Sequence, residues 1–412
     1  MEFDRQRVFQ KIIAPVPLSV FLKNHWEKRP LHIAGTPQKF QEFFSRQSFE
    51  AALQNRPQID KLLLRASFID SEGRYTDVHV SSDQILPFFE AGLTVSVASI
   101  HKVDERLNAL RKQIKQEFVT GRDVGFNCFF SPPGKGFGMH LDDHSVLLLQ
   151  IEGDKKWKFS SRPALSGAPH NIILPPKGEM DRSFSEARIQ RPKESQFSEV
   201  RLRAGDALYL PSGTWHRGIA GENSLGLSLA FSPFAPRHIV DDFLISFFED
   251  TPVWLQILPA IEMGVLQRGY IPKNLEKILS KRLIEFKQLI RRLTVADLCS
   301  VWHMRATSPD SAVLSQQRKR RIRAQDNLVV VRSEPATLFL RRHRNGQRTV
   351  SLFFGGMEIE YSESAYDFLT TLLKQDRFNA ASTKDWGHKR QTWRSTQSIL
   401  QDLYEIGLLR IP

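Results

Sequence analysis

This chain of 412 residues is predicted to be α+β overall, with a mainly β first half, on three observations. Between about 124 and 231, short apolar runs alternate with Gly, Pro, Ser and Asp turns, the pattern of a strand-rich barrel. After Ser232-Pro233 and Ala235-Pro236 the apolar spacing becomes helical, over 238–250, 252–263, 275–293 and 295–304. From Asn327 it changes again, to strand candidates at Leu328-Val-Val-Val, Ala336-Thr-Leu-Phe-Leu and Thr349-Val-Ser-Leu-Phe-Phe, then helices near 364–375 and 394–406. The expected divisions are 1–235, a helical 236–325, and 326–412.

Each element follows from local chemistry. Residues 1–120 mix helix and strand patterns, including an amphipathic helix from Asp104 to Phe118, and are expected to buttress the barrel. Ser145-Val-Leu-Leu-Leu-Gln-Ile151 is short, apolar and stopped by Gly153, which favours a buried strand. Val200-Arg-Leu-Arg, the Gly205-Asp206 turn, Ala207-Leu-Tyr-Leu210 and the Pro211-Ser-Gly213 turn read as a hairpin ending at His216. The polar stretch 161–198, with Pro163, Pro169, Pro175, Pro176 and Pro192, is a long loop suited to covering an entrance. Pro252 is compatible with a helix start.

The chemistry-bearing residues are His140, Asp142 and His216. Two imidazoles and one carboxylate can fill three neighbouring positions on a divalent ion and leave the others open, the arrangement of non-haem Fe(II) oxygenases. On a strand, side chains at i and i+2 share a face, so His140 and Asp142 would point together. His144 shares that parity, but four residues of extended chain put it roughly 13 Å from His140, too far to share an ion. It is expected beside the site and not in the ligand set.

Four blocks in order carry a resemblance: Asn127-Cys-Phe-Phe-Ser-Pro-Pro-Gly, Gly138-Met-His140-Leu-Asp142-Asp143, Leu149-Gln-Ile-Glu-Gly153-Asp-Lys155-Lys-Trp157, and Gly205-Asp-Ala-Leu-Tyr-Leu-Pro211-Ser-Gly213-Thr-Trp-His216. Together with Asn24-His-Trp26-Glu-Lys-Arg-Pro30-Leu they resemble the JmjC-type ribosomal oxygenases of the cupin superfamily, which include bacterial and nucleolar members. The resemblance implies a double-stranded β-helix, a helical dimerisation segment and a closing winged helix. It implies Fe(II) held by His140, Asp142 and His216, with 2-oxoglutarate and O2 as cosubstrates. The basic residue gripping the far carboxylate of 2-oxoglutarate falls at Lys155. Strand parity agrees, since Lys155, Trp157 and Phe159 share a face opposite Lys156 and Lys158. Asn127 matches an asparagine near the cosubstrate, and Ser224 and Ser228 are candidate hydroxyl partners. Phe129 stands where the family often has tyrosine. In the helical segment, Phe243, Phe247, Phe248, Trp254 and Leu255 would be shared between protomers of a homodimer, or else form an internal core.

Composition fits a globular enzyme. Hydrophobic residues make up 41% and charged residues 25%, and 29 Phe indicate aromatic-rich cores. Cys128 and Cys299 are too few for a disulfide framework, and no membrane span or signal pattern is visible, so a cytoplasmic protein is expected. Of the net charge of +13, the stretch from 265 onward holds 26 Lys and Arg against 14 Asp and Glu. Its densest clusters are Arg318-Lys-Arg-Arg-Ile-Arg323 and Arg341-Arg-His-Arg344. Such a field draws a chain toward RNA, ribosomes or an acidic partner, or is a solvated surface. The expected function is hydroxylation of a protein side chain, arginine or histidine of a ribosomal protein. The alternatives are a tRNA or small-molecule hydroxylase with the same chemistry, or an RNA- or ribosome-binding module with a vestigial barrel.

Overall fold

Along Val124–Ser131 every second side chain serves a different medium. Val124, Phe126, Cys128 and Phe130 are buried at 2% exposure or less on one face, while Asn127 and Phe129 line a cavity on the other. This period of two is the signature of a pleated strand, and it organises the first half of the molecule. The computed structural model describes residues 7–70, 75–117, 123–175, 189–232, 234–267, 269–308, 320–332, 335–343, 345–386 and 392–412. The chain divides into two compact units at Pro233/Phe234.

The strands of the first unit are, in chain order, β1 (Leu31–Ile33), β2 (Leu64–Ile69), β3 (Tyr75–His79), β4 (Thr94–Val97), β5 (Val124–Ser131), β6 (His140–Leu141), β7 (Ser145–Glu152), β8 (Asp154–Ser160), β9 (Ile172–Ile173), β10 (Phe197–Arg203), β11 (Ala207–Leu210), β12 (His216–Ala220) and β13 (Ser224–Phe231). They form an antiparallel sheet in the order β1-β11-β7-β13-β5-β4-β2-β3 and a second in the order β10-β8-β12-β6-β9. Between the sheets, Val146, Leu148, Leu208 and Leu210 of the larger pack against Trp157, Phe159 and Leu202 of the smaller.

The opposite face of the larger sheet is covered by the N-terminal helices. Phe9 of Val8–Ile13, Phe21 of Leu18–Asn24, Phe49 of Arg46–Gln54 and Leu107, Leu110 and Ile114 of Glu105–Glu117 join Phe126, Leu147, Leu227 and Tyr209 in one core. Such large apolar side chains each contribute roughly 1.5–3 kcal/mol on burial. The N-terminal region also adds β1 at one end of the sheet and β4, β2 and β3 at the other.

Two local expectations need correction. The His140-x-Asp142 pair is only partly on a strand, because β6 ends at Leu141 and Asp142 lies beyond it. The expected helix over 252–263 is a single 3₁₀ turn, Pro252–Trp254, followed by irregular chain to 262. Pro259 has no N–H to donate and disfavours helical geometry at Leu258. Phe118, at the end of the predicted helix, and the 176–188 part of the long loop lie outside the described residues.

In the second unit, the capping box of Thr294 and Asp297 starts helix Val295–Ala306. That helix packs on an antiparallel meander of Ala336–Arg342, Arg348–Phe354 and Met357–Ser362. Asn327–Val330 pairs with Arg377–Asn379 and Leu409–Arg410. Helices Tyr366–Leu372 and Trp393–Glu405 share their core through Phe368, Leu369, Leu400 and Leu403. Parts of the basic clusters are paired internally: Arg320 with Asp326 at 2.7 Å, Arg341 with Glu358 at 3.3 Å. Arg318, Lys319 and Arg344 lie outside the described residues. Among the described residues, no helix is long and apolar enough to cross a membrane.

His101 is a buried titrating group of the first unit. Burial, with the nearby Arg111 charge, lowers its pKa to about 4, and its Nδ1 accepts the Phe126 N–H at 3.0 Å, which an imidazolium cannot do. The folded pKa lies below the unfolded value of about 6.5. His101 therefore stabilises the fold above that value, and the contribution is lost as pH falls toward about 4. Thermal melts across this window should show His101→Gln with a shallower loss of stability on acidification than the parent chain; equal slopes would remove this role.

Candidate metal centre and its cavity

The two imidazoles meet because β6 and β12 pair in a register that sets His140 opposite His216, with ring centroids 4.2 Å apart. Asp142 reaches the same point from the turn after β6, where Gly213 donates its N–H to the Asp142 carbonyl at 2.8 Å. Gly213 has φ +74°, and a Cβ there would sit 1.9 Å from the Leu165 carbonyl oxygen. Only glycine fits this turn, three residues before His216.

One donor atom from each of His140, Asp142 and His216 lies within 4.8 Å of the others. His140 Nδ1 is 2.8 Å from the Gly138 carbonyl and His216 Nδ1 is 2.8 Å from the Thr214 carbonyl. A carbonyl can only accept, so both Nδ1 atoms carry the hydrogen and both Nε2 lone pairs are left for an ion. Those Nε2 atoms are 3.9 and 3.6 Å from the Asp142 carboxylate oxygens. Burial lowers the His216 pKa to about 4, which keeps its ring neutral. Burial works against the Asp142 carboxylate, but the fields of His140, His216 and His144 hold its pKa below the usual range. Two imidazoles with their Nε2 atoms turned to a carboxylate are a donor set suited to a divalent transition metal.

The centre opens into a cavity of about 430 Å³. Lys155 is 4% exposed within it, with Nζ 3.0 Å from Ser131 Oγ and 5.9 and 5.6 Å from the Phe137 and Trp157 rings. Burial pulls its pKa down to about 8. No carboxylate forms an ion pair with it among the described residues, so the pocket offers a buried cation to an anionic ligand.

The remaining predicted residues are also placed. Asn127 and Ser228 line the cavity and face each other across β5 and β13. The Asn127 carboxamide oxygen already accepts the Ser99 N–H at 2.9 Å, leaving its NH2 for a ligand. Ser224 accepts from Gln150 Nε2 at 2.8 Å. Phe129 packs edge-on to Phe137 at 5.2 Å. His144 lines the cavity but holds Asp143 at 2.7 Å and is outside the ligand cluster; the chain turns after Leu141, so the extended-strand distance expected for it does not apply.

Sequence reasoning missed Ser131, Phe137, Arg65, Tyr75 and Asp77, all at the cavity or against its lining. Ser131 shares strand parity with Asn127 and Phe129 and was readable. Arg65 and Asp77, 3.0 Å apart, come from β2 and β3, and only sheet order brings them to the mouth.

Within this barrel of two antiparallel sheets around a His-Asp-His cluster, residues 101–238 match the family model described as the JmjC domain. The chain is 26% identical over 235 residues to ribosomal oxygenase 1 of Danio rerio, covering 55% of this chain and 40% of that protein. It is 26% identical over 224 residues to the ribosomal protein uL16 3-hydroxylase of Escherichia coli, covering 54% of each. The first curated relatives are spanned by less than half of their length. The fold is that of the ribosomal oxygenase YcfD of Escherichia coli in a structure with cobalt and 2-oxoglutarate, with a TM-score of 0.52 at 17% identity over 96% of this chain and 98% of that one.

Asp142→Ala or His216→Ala should weaken Mn(II) binding by more than the roughly 10–100-fold typical of losing an outer partner of a ligand. Circular dichroism should be unchanged. Titration with wild-type affinity in either variant would refute the ligand assignment.

Proposed function

We propose that this protein is an Fe(II)- and 2-oxoglutarate-dependent oxygenase that hydroxylates a protein side chain, arginine or histidine of a ribosomal protein. The observation that carries the reading is the meeting, in one cavity, of an open His-Asp-His centre with a buried lysine that has no acidic partner among the described residues. Bound Fe(II), with 2-oxoglutarate and O2, would supply the oxidation that places oxygen in a C–H bond as the keto acid becomes succinate and CO2. The chain's own residues bind, orient and dry the site. His140, Asp142 and His216 hold one face of the ion. Lys155, with Ser131, takes the distal carboxylate of 2-oxoglutarate, and the Asn127 NH2 and Ser228 hydroxyl stand beside it. Phe129, Phe137 and Trp157 keep the surroundings apolar, which strengthens each charge interaction inside.

The outer cavity supports a nitrogenous target. Asp77 is the one carboxylate besides Asp142 among the described lining residues; one of its oxygens is 3.0 Å from Arg65 Nε, and the other is an acceptor for a guanidinium or imidazole. The relatives named as ribosomal oxygenases support a ribosomal protein as the partner. The vestigial-barrel reading loses support from the complete ligand set, and RNA binding loses support from the internal pairing of Arg320 and Arg341.

Purified protein with Fe(II) should convert 2-oxoglutarate to succinate, and His140→Ala should abolish it; a metal-independent or absent turnover would reject the activity. Intact-mass analysis of ribosomal proteins should show one added oxygen that depends on the gene. The affinity for 2-oxoglutarate should be level below pH about 8 and fall as pH rises through it, because the Lys155 ammonium loses its proton there. Lys155→Ala should bind weakly with no such step.

We also infer a homodimer through the helical segment. Leu255, Leu283 and Ile284 are apolar yet 61%, 52% and 58% exposed, and helices Pro236–Glu249 and Lys273–Arg292 contain no buried residue. Apolar surface of this extent marks an interface. Sedimentation should give a dimer, and Leu283→Glu a monomer that still binds Mn(II); a monomeric parent would overturn the inference.

A further inference from the structure

We infer that Glu27, in the segment ahead of the matched JmjC stretch, is a positioning residue that holds the two ligand-bearing turns together through a closed hydrogen-bond ring. The inference rests on the metal centre proposed above. Glu27 has φ +52°, a left-handed conformation uncommon for a residue with a branching side chain and kept only where surrounding contacts require it. The Glu27 N–H donates to Tyr209 Oη at 3.0 Å, Tyr209 O–H donates to Ser145 Oγ at 3.3 Å, and Ser145 O–H donates to Glu27 Oε1, which closes the ring. Ser145 Oγ also accepts the Ser212 N–H at 3.0 Å. A hydroxyl has one donor and two acceptor positions, so Ser145 is fully used.

The ring's location gives it its role. Ser145 is three residues beyond Asp142 and Ser212 is four before His216, so one hydroxyl links the two turns that carry the ligands. The Gly213 N–H to Asp142 carbonyl bond at 2.8 Å runs parallel to that link. Ser145, Tyr209 and Ser212 are 1%, 0% and 5% exposed and Trp26 stacks on Tyr209 at 5.8 Å, so the hydroxyls of the ring are shielded, while Glu27 closes it from the exposed side. Burial also pushes the Glu27 carboxyl pKa up, the mark of an acceptor held for its geometry at a cost in solvation.

Outer partners of metal ligands typically matter by about 10–100-fold in affinity. The test is Mn(II) titration of the full chain, followed by the electron paramagnetic resonance of free Mn(II). Glu27→Ala should weaken binding by about that factor. Glu27→Gln, which keeps an acceptor oxygen, should recover most of it. Glu117→Ala is the control: Glu117 is another partly buried carboxylate, accepting from Phe9 N at 3.1 Å, but it touches neither ligand turn, so affinity should not change. If Glu27→Ala does not fold by circular dichroism, Ser145→Ala is judged by the same criterion. Wild-type affinity in Glu27→Ala, an equal loss in Glu117→Ala, or no recovery in Glu27→Gln overturns the inference. A parent chain that binds no Mn(II), or binds it equally with His140→Ala, instead defeats the metal centre itself.

Discussion

The structure depends on one strand register, the pairing of His140 with His216 between β6 and β12. A shift of one residue would turn one imidazole to the other face of the sheet, and no ligand set would remain. The register is backed by chemistry at each ring, because both Nδ1 atoms lie against backbone carbonyls. The backbone thereby chooses the tautomer, and the free Nε2 atoms face the Asp142 carboxylate. Main-chain hydrogen bonding thus sets both rings of the candidate metal centre.

The same pleat divides labour through the barrel. Along β5 one face builds the apolar core under the N-terminal helices and the other lines the cavity. Burial then tunes the polar groups that face inward. It keeps His216 neutral, strips Lys155 of solvent, and leaves that lysine with a serine hydroxyl and aromatic faces for company. An apolar wall makes a single cation decisive, since an anion entering there meets little competition from water.

The N-terminal segment is part of the site as well as a cover for it. Trp26 and Glu27 reach Tyr209 and Ser145 from outside the matched JmjC stretch, so the barrel is tied to chain that precedes it. The second unit has a different character: its core under Leu328, Phe368 and Leu403 is well filled, while its long helices leave apolar side chains in solvent.

Much of this was legible in the residues alone. His140, Asp142 and His216 could be chosen by ligand chemistry, Lys155 by its alternation with Trp157 and Phe159, and most strands by their turns, because these signals are local and repeat every two residues. The helix expected over 252–263 failed because apolar spacing outweighed Pro259 in the reading, whereas in the chain the missing N–H prevails. Asp77 and Arg65 beside the cavity, and Glu27 behind the ligand turns, could not be read at all. Their roles arise from strands and turns far apart in sequence whose neighbours are set only when the sheet closes, and no periodicity along one segment encodes which distant segment it will face.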